Sequence, residues 1–289
     1  MVNPGFLKNE SVIEWLGGVE PYWTYLEFDS YCRLRSGPDE DGRALRLASD
    51  MAATEVRASP MIAATLHLLS MAEAQPVKLT PSGCLARATV VELAQIVDGP
   101  AFDLSLIRSV TKVLNEQDVW PAELVRVVAV EMRLLRRVGK TLVPTAKGKK
   151  AVATGGAGEL MARLFEMVFW RINLGRWDGC PVPSWPQGDI GIIVWSLSHV
   201  ATTWETPDRL ARLATVPVIG VLEAKRDFSG LALELRILRM LALFGLLDAE
   251  REPRSADRFL SSRRYRKTAL FDRFFSFDVT LEPVEGPRH

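Results

Sequence analysis

Few residues in this chain can do chemistry. Its histidines are His67, His199 and His289, and its cysteines are Cys32, Cys84 and Cys180. None of these sit at the short spacings of a metal site or a disulfide framework, so free thiols and no bound metal are expected. A serine nucleophile would need a base, and no histidine lies in a recognisable motif. Val138-Gly139-Lys140-Thr141 ends like a phosphate-binding loop, but Leu134 stands where that loop needs glycine. The fragment also follows a helical pattern instead of preceding one. Gly155-Gly156-Ala157-Gly158 lacks dinucleotide-binding spacing and reads as linker, and Asp39-Glu40-Asp41 reads as a solvated loop. Positive charge remains. From Arg133 to Lys150 there is no acidic residue, and cations spaced in this way neutralise phosphates. The expected chemistry is binding without a cofactor.

The elements that must carry this charge begin at Pro121, which is tolerated in a first helical turn because its missing N–H has no partner there. Leu124, Val127, Val128, Leu134, Leu135 and Val138 recur at helical spacing, and Arg126, Arg133 and Arg137 fall almost opposite them. This pattern predicts one helix from Pro121 to Val138, stopped by Gly139. Glu131 then lies on the apolar face, where a partner such as Arg87 would have to neutralise it. Thr141-Leu142-Val143 follows as a candidate strand, and Thr145-Ala146-Lys147-Gly148 opens another helix. A basic helix followed by a short ribbon resembles the recognition helix and wing of a winged-helix domain. The resemblance implies duplex DNA as partner. Arg133 or Arg137 would read bases, Arg126 would share the basic face, and Lys140, Lys147, Lys149 and Lys150 would hold phosphates.

The 289 residues suit two domains. A net charge of +1 confines nucleic-acid binding to a local patch. Arginine outnumbers lysine, as suits a GC-rich bacterial gene. No signal peptide or membrane span is expected, and the cytoplasm is the expected compartment. Residues 1–75 read as a helical N-terminal region, with a helix from Ser11 to Leu16 and helical faces from Ala44 to Ala74 that take His67 into the core. Residues 76–153 form a first winged-helix-like unit. In it Val77-Lys78-Leu79 is a strand, Thr80-Pro81 caps a helix, Asp98-Gly99-Pro100 ends that helix, and Leu104 to Leu114 makes another. KLTPSGCLARATVVELAQIV, with LVPTAKGKKAV downstream, is similar to a helical segment of plasmid and mobile-element proteins of unknown role. Residues 154–188 supply a bulky helix and a Gly/Pro-rich linker.

Residues 189–289 resemble a second winged helix. Ile190–Val200 is its first helix, with His199 in the core, and Thr206-Pro207-Asp208 caps the second. The third runs from Leu231 to Leu247, and the wing returns through Tyr265 to Thr268. Setting Gly139 over Gly245 gives a weak internal repeat. The third helix here is apolar nearly all round, so DNA contact would fall to Arg263, Arg264, Arg266 and Lys267. The whole reads as mainly α with short β-ribbons (α+β), two winged-helix-like units behind a helical N-terminal region. A non-enzymatic DNA-binding regulator or mobile-element accessory factor is expected. The alternative is a protein-interaction scaffold, or a homodimer joined through residues 189–289.

Overall fold

The computed structural model describes residues 9–153, 156–182, 184–222, 226–251 and 263–283. The architecture is mainly helical with short antiparallel strands. Among the described residues no helix is long and apolar enough to cross a membrane. The chain forms two compact units that cut across the linear division expected from composition. One takes Ala48–Ile172 and Arg239–Glu250; the other takes the chain up to Leu47, Asn173–Leu238 and the chain from Arg251 on.

In the 48–172 unit, Ser59 opens the helix Pro60–Ala74 by accepting a hydrogen bond from the Ile62 amide at 3.3 Å, with proline at the first position. Met61, Ala64, Thr65, Leu68, Leu69 and Ala72 repeat every three or four residues and are buried. This stripe packs against Arg87–Ile96, Trp120–Glu131 and Ala146–Ala153. Between the helices, Val77–Lys78 pairs antiparallel with Thr141–Pro144, which also pairs with Leu135–Val138, so the last strand in sequence is the middle one.

The helix after Pro121 is shorter than its periodicity predicts. It ends at Glu131. The Arg133 amide donates to Val130 O and the Leu134 amide to Ala129 O, at 2.9 and 2.8 Å, and Arg133 takes φ +57°. This is a Schellman stop with a left-handed arginine where glycine is usual. Leu135–Val138 is a strand. Glu131 is exposed, so no buried pair with Arg87 forms. Thr145 does cap the next helix, its Oγ1 accepting from the Gly148 amide at 3.1 Å. Gly148 also permits a close approach, since a Cβ there would lie 2.2 Å from Leu134 O. Thr80 is different. Its Oγ1 accepts from the Cys84 amide at 3.1 Å inside a turn, and the helix starts only at Arg87.

Further corrections concern solvent. His67 bonds Glu92 at 2.9 Å on a half-exposed face and is not a core residue. Most of Ala44–Pro60 is not helical, because Leu45–Leu47 is a strand. Ala146–Ala153 is helical as expected, and Ala157–Glu166 begins inside the stretch 155–158 read as linker, with Gly158 buried. The latter helix continues as Met167–Arg171 in a wider, π-type turn.

In the 173–238 unit, Leu45–Leu47 pairs with Phe275–Phe277. Ile190–Val200 is helical, and Thr206 Oγ1 caps Pro207–Ala214. Ser229–Leu233 and the π-type turn Glu234–Leu238 follow. Both charged residues of this stretch are committed inside the unit. Arg236 is buried and donates to the Asp178 carboxylate and to Trp185 O, while Glu234 accepts from Arg263 at 3.0 Å and from Tyr265 Oη at 3.1 Å. His199 lies near the surface, its ring stacked on Tyr22 at 4.4 Å.

The chain-order likeness between 60–153 and 190–274 holds in a different register from the one glycines suggest. Gly245 takes φ +74°, its amide donates to Ala242 O, and the Leu246 amide donates to Leu241 O, both at 2.9 Å. That is the Schellman stop seen at Arg133. Arg133, not Gly139, therefore corresponds to Gly245. Leu135–Val138 and Leu247–Arg251 follow the two stops, and Thr145 and Thr268 cap the closing helices. Residues 252–262, between the two strands of the expected wing, lie outside the described residues.

Two measurements check this account. Arg133→Gly removes a left-handed side chain and should stabilise the fold by about 1 kcal/mol in denaturant unfolding. Gly245→Ala should destabilise it, since its Cβ would also meet Ala58 O at 3.1 Å. A destabilised Arg133→Gly would refute the strain at that residue. For His199, cover by neighbouring groups and then the Lys267 charge hold the imidazole below its ordinary 6.5. Between the two values the unfolded chain binds more protons, so this contribution is full above 6.5 and is lost as pH falls through the folded value. A ring titration by NMR should give a midpoint below 6.5, rising in Lys267→Ala.

Candidate nucleic-acid interface

The residues that carry free positive charge are brought together by a hairpin, not by a helix face. Leu135 pairs with Pro144, Arg136 with Val143, Arg137 with Leu142 and Val138 with Thr141, leaving Gly139-Lys140 as a two-residue loop. Gly139 has φ +59° and Lys140 does not share that sign, as a II′ turn requires. Leu135 and Leu142 are buried, whereas Arg136, Arg137, Val138 and Lys140 are exposed. The ribbon is anchored at both ends. Lys140 O accepts from the Leu79 amide at 2.8 Å, and Thr145 Oγ1 donates to Arg133 O at 2.6 Å.

Arg133 lies exposed at the root of the hairpin. Arg137 donates from Nε to Gly139 O at 2.8 Å, and its Nη1 lies 3.3 Å from where a Cβ on Gly83 would stand. Its guanidinium is thereby held beside the turn Thr80–Cys84. Sequence periodicity misses Arg136, because a helical reading rotates it off the arginine stripe. The alternation in LRRVGKTLVP around a two-residue loop is the signal that finds it. Among the described residues no acidic group pairs with Arg133, Arg136, Arg137 or Lys140.

Other expected site residues go elsewhere. Arg126 donates from Nε to Glu116 Oε1 at 2.6 Å, and Glu116 is almost fully buried, so this arginine is a structural partner. Lys147 donates to Met132 O at 3.1 Å. Lys147 and Lys150 line a cavity of about 280 Å³ with Glu159 and Arg163, which are themselves paired at 2.6 Å. Lys149 is exposed on the same helix. In the 173–238 unit Arg263 is bound to Glu234, Lys267 to Asp272 at 2.7 Å, and Arg266 lies over the Trp204 ring at 4.6 Å. Arg264 also has contacts within the chain. The two basic clusters are therefore unequal, and the hairpin 135–144 is the exposed one.

Residues 57–157, which contain that hairpin, match the family model described as the Y4jL N-terminal domain. A similar protein is the uncharacterized protein y4jL of Sinorhizobium fredii, 39% identical over 92 residues. The likeness covers 32% of this chain and 42% of that protein, so the chain spans less than half the length of the relative it matches. No solved structure matches.

Replacing Arg126 by Met should leave the Glu116 carboxylate buried without a counter-charge and cost roughly 3–5 kcal/mol. Denaturant unfolding checks this; a loss below 1 kcal/mol would show that the pair is not structural.

Proposed function

We propose that the 48–172 unit binds duplex DNA, without catalysis, through the hairpin Leu135–Pro144 and its root at Arg133. The observation that carries the reading is four exposed cations, Arg133, Arg136, Arg137 and Lys140, on one anchored ribbon with no paired acid among the described residues. The order of elements supports it: helix, strand, three helices, then a hairpin whose second strand takes the middle of the sheet. A winged-helix unit has a similar order with two helices between its first strand and its hairpin, so on this reading one helix here is an addition. A role in regulation or in the handling of mobile DNA fits such a surface.

The helix Trp120–Glu131 is a poor base reader. Its polar residues include Glu123 and Glu131, and Arg126 is committed to Glu116. Binding is therefore directed at phosphates and tolerant of sequence. The rival scaffold reading draws on an apolar third helix in residues 189–289 and on the near-zero net charge. Ala232, Leu233, Ile237, Leu238, Met240 and Leu241 of that helix are buried, while Leu231 is 40% exposed, so most of its apolar side chains are used within the chain.

The test is affinity for a random-sequence duplex across a salt series. With about four phosphates neutralised, the log–log slope should be roughly −3 to −4. The triple variant Arg136→Ala, Arg137→Ala, Lys140→Ala should flatten it to about −1 and weaken binding at low salt. Unchanged slope and affinity in that variant would end the proposal.

A further inference from the structure

The cavity of about 280 Å³ lies in the 48–172 unit and is lined from the helices Ala146–Ala153 and Ala157–Glu166 and from the root of the hairpin. Its sides differ in chemistry. Met132, Ala151 and Leu160 make an apolar wall. Ala151 is half-buried, and Met132 and Leu160 each keep 6% of their surface accessible. Lys147, Lys150, Glu159 and Arg163 make the rim, and all four are exposed. A solute can therefore reach the charged groups without any rearrangement of the core.

Two of the cations are held from behind. Lys147 Nζ donates to Met132 O at 3.1 Å, which leaves ammonium protons over. Arg163 Nη2 lies 2.6 Å from Glu159 Oε1, an i,i+4 pair that steadies the guanidinium and leaves most of its N–H fork unused. Lys150 has a further contact within the chain. Set against Glu159, Lys147 and Arg163 leave one positive charge at the rim. A monoanion balances it, and a carboxylate offers one oxygen to each cation. Inorganic phosphate would suit the rim but would leave the apolar wall wet, and covering that wall is the gain that a ring or short chain brings. A cavity of about 150 Å³ takes one benzene, so this one has room for a ring with a carboxylate attached.

We propose that this cavity binds a small carboxylic acid with an apolar body, its carboxylate on Lys147 and Arg163 and its body against Met132, Ala151 and Leu160. The proposal does not rest on DNA binding by the hairpin, and an Arg136→Ala, Lys140→Ala variant should leave it intact.

The probes are benzoate, benzyl alcohol, acetate and inorganic phosphate, titrated calorimetrically into the full chain. Benzoate should bind about ten-fold more tightly than benzyl alcohol, which keeps the ring without the charge. It should bind about ten-fold more tightly than acetate, which keeps the charge without the ring, and phosphate should also be weaker than benzoate. Arg163→Met, at an exposed position, should weaken benzoate about five-fold and leave benzyl alcohol unchanged. Glu159→Gln removes the carboxylate that competes for Arg163 and should tighten benzoate. Acetate or phosphate binding as tightly as benzoate would reduce the site to a simple ion contact and overturn the proposal. So would unchanged benzoate affinity in Arg163→Met, or no benzoate binding at millimolar concentration.

Discussion

A helix that stops on a left-handed residue is the constraint on which the hairpin depends. At Arg133 the chain leaves Trp120–Glu131 through two crossed backbone hydrogen bonds, drops Leu134 into the core and starts a strand at Leu135. The turn is held from outside as well. Thr145 donates to Arg133 O, and Gly148 lets the following helix lie against Leu134 O. A side chain at Gly148 would force the two backbones apart, and the ribbon between them would lose its anchor. Orientation of the exposed cations is thus set by backbone contacts at Arg133 and Leu134, held by the uncharged Thr145 and Gly148.

Burial sorts the charged residues more sharply than composition does. Arg126 with Glu116 and Arg236 with Asp178 are nearly closed to solvent. Both pairs hold turns against helices, and breaking either would strand a charge where water cannot solvate it. Arg263 and Lys267 are likewise spent on neighbours, although their strand is the more basic by sequence. Counting cations along the chain overstates the second cluster and misses Arg136 in the first. What decides is which cations stand on a strand edge with no acid within reach.

Much of the fold was legible where a cap and an apolar stripe agree. Ile190–Val200, the Thr206 cap and the Thr145 cap were read from residues alone and stand as read. The misreading from Glu131 to Val138 has a physical cause. Leu134, Leu135 and Val138 satisfy helical spacing, yet Leu134 and Leu135 are buried beyond a stop that needs no glycine. An arginine in the left-handed region leaves no mark in the sequence, so helical spacing alone carries the helix on to Gly139. The same error set the internal repeat out of register, since Gly245 has its counterpart in Arg133. The Glu116–Arg126 pair was illegible for another reason: it joins a turn to a helix across ten residues, and no periodicity records it.

Near-neutral net charge and a basic ribbon are compatible because the charge is segregated, not abundant. At an overall +1 the long-range field is weak, and attraction to a polyanion is confined to about a Debye length from the hairpin. On the proposed reading, a surface of four cations at that range would engage a few phosphates and release few counterions. The adjacent helix adds carboxylates at Glu123 and Glu131 where a base-reading helix would place arginine or asparagine. If the hairpin meets DNA as proposed, both facts favour weak, salt-sensitive and sequence-tolerant contact. Strong selectivity would have to come from a second binding event, which a ribbon of this size does not supply by itself.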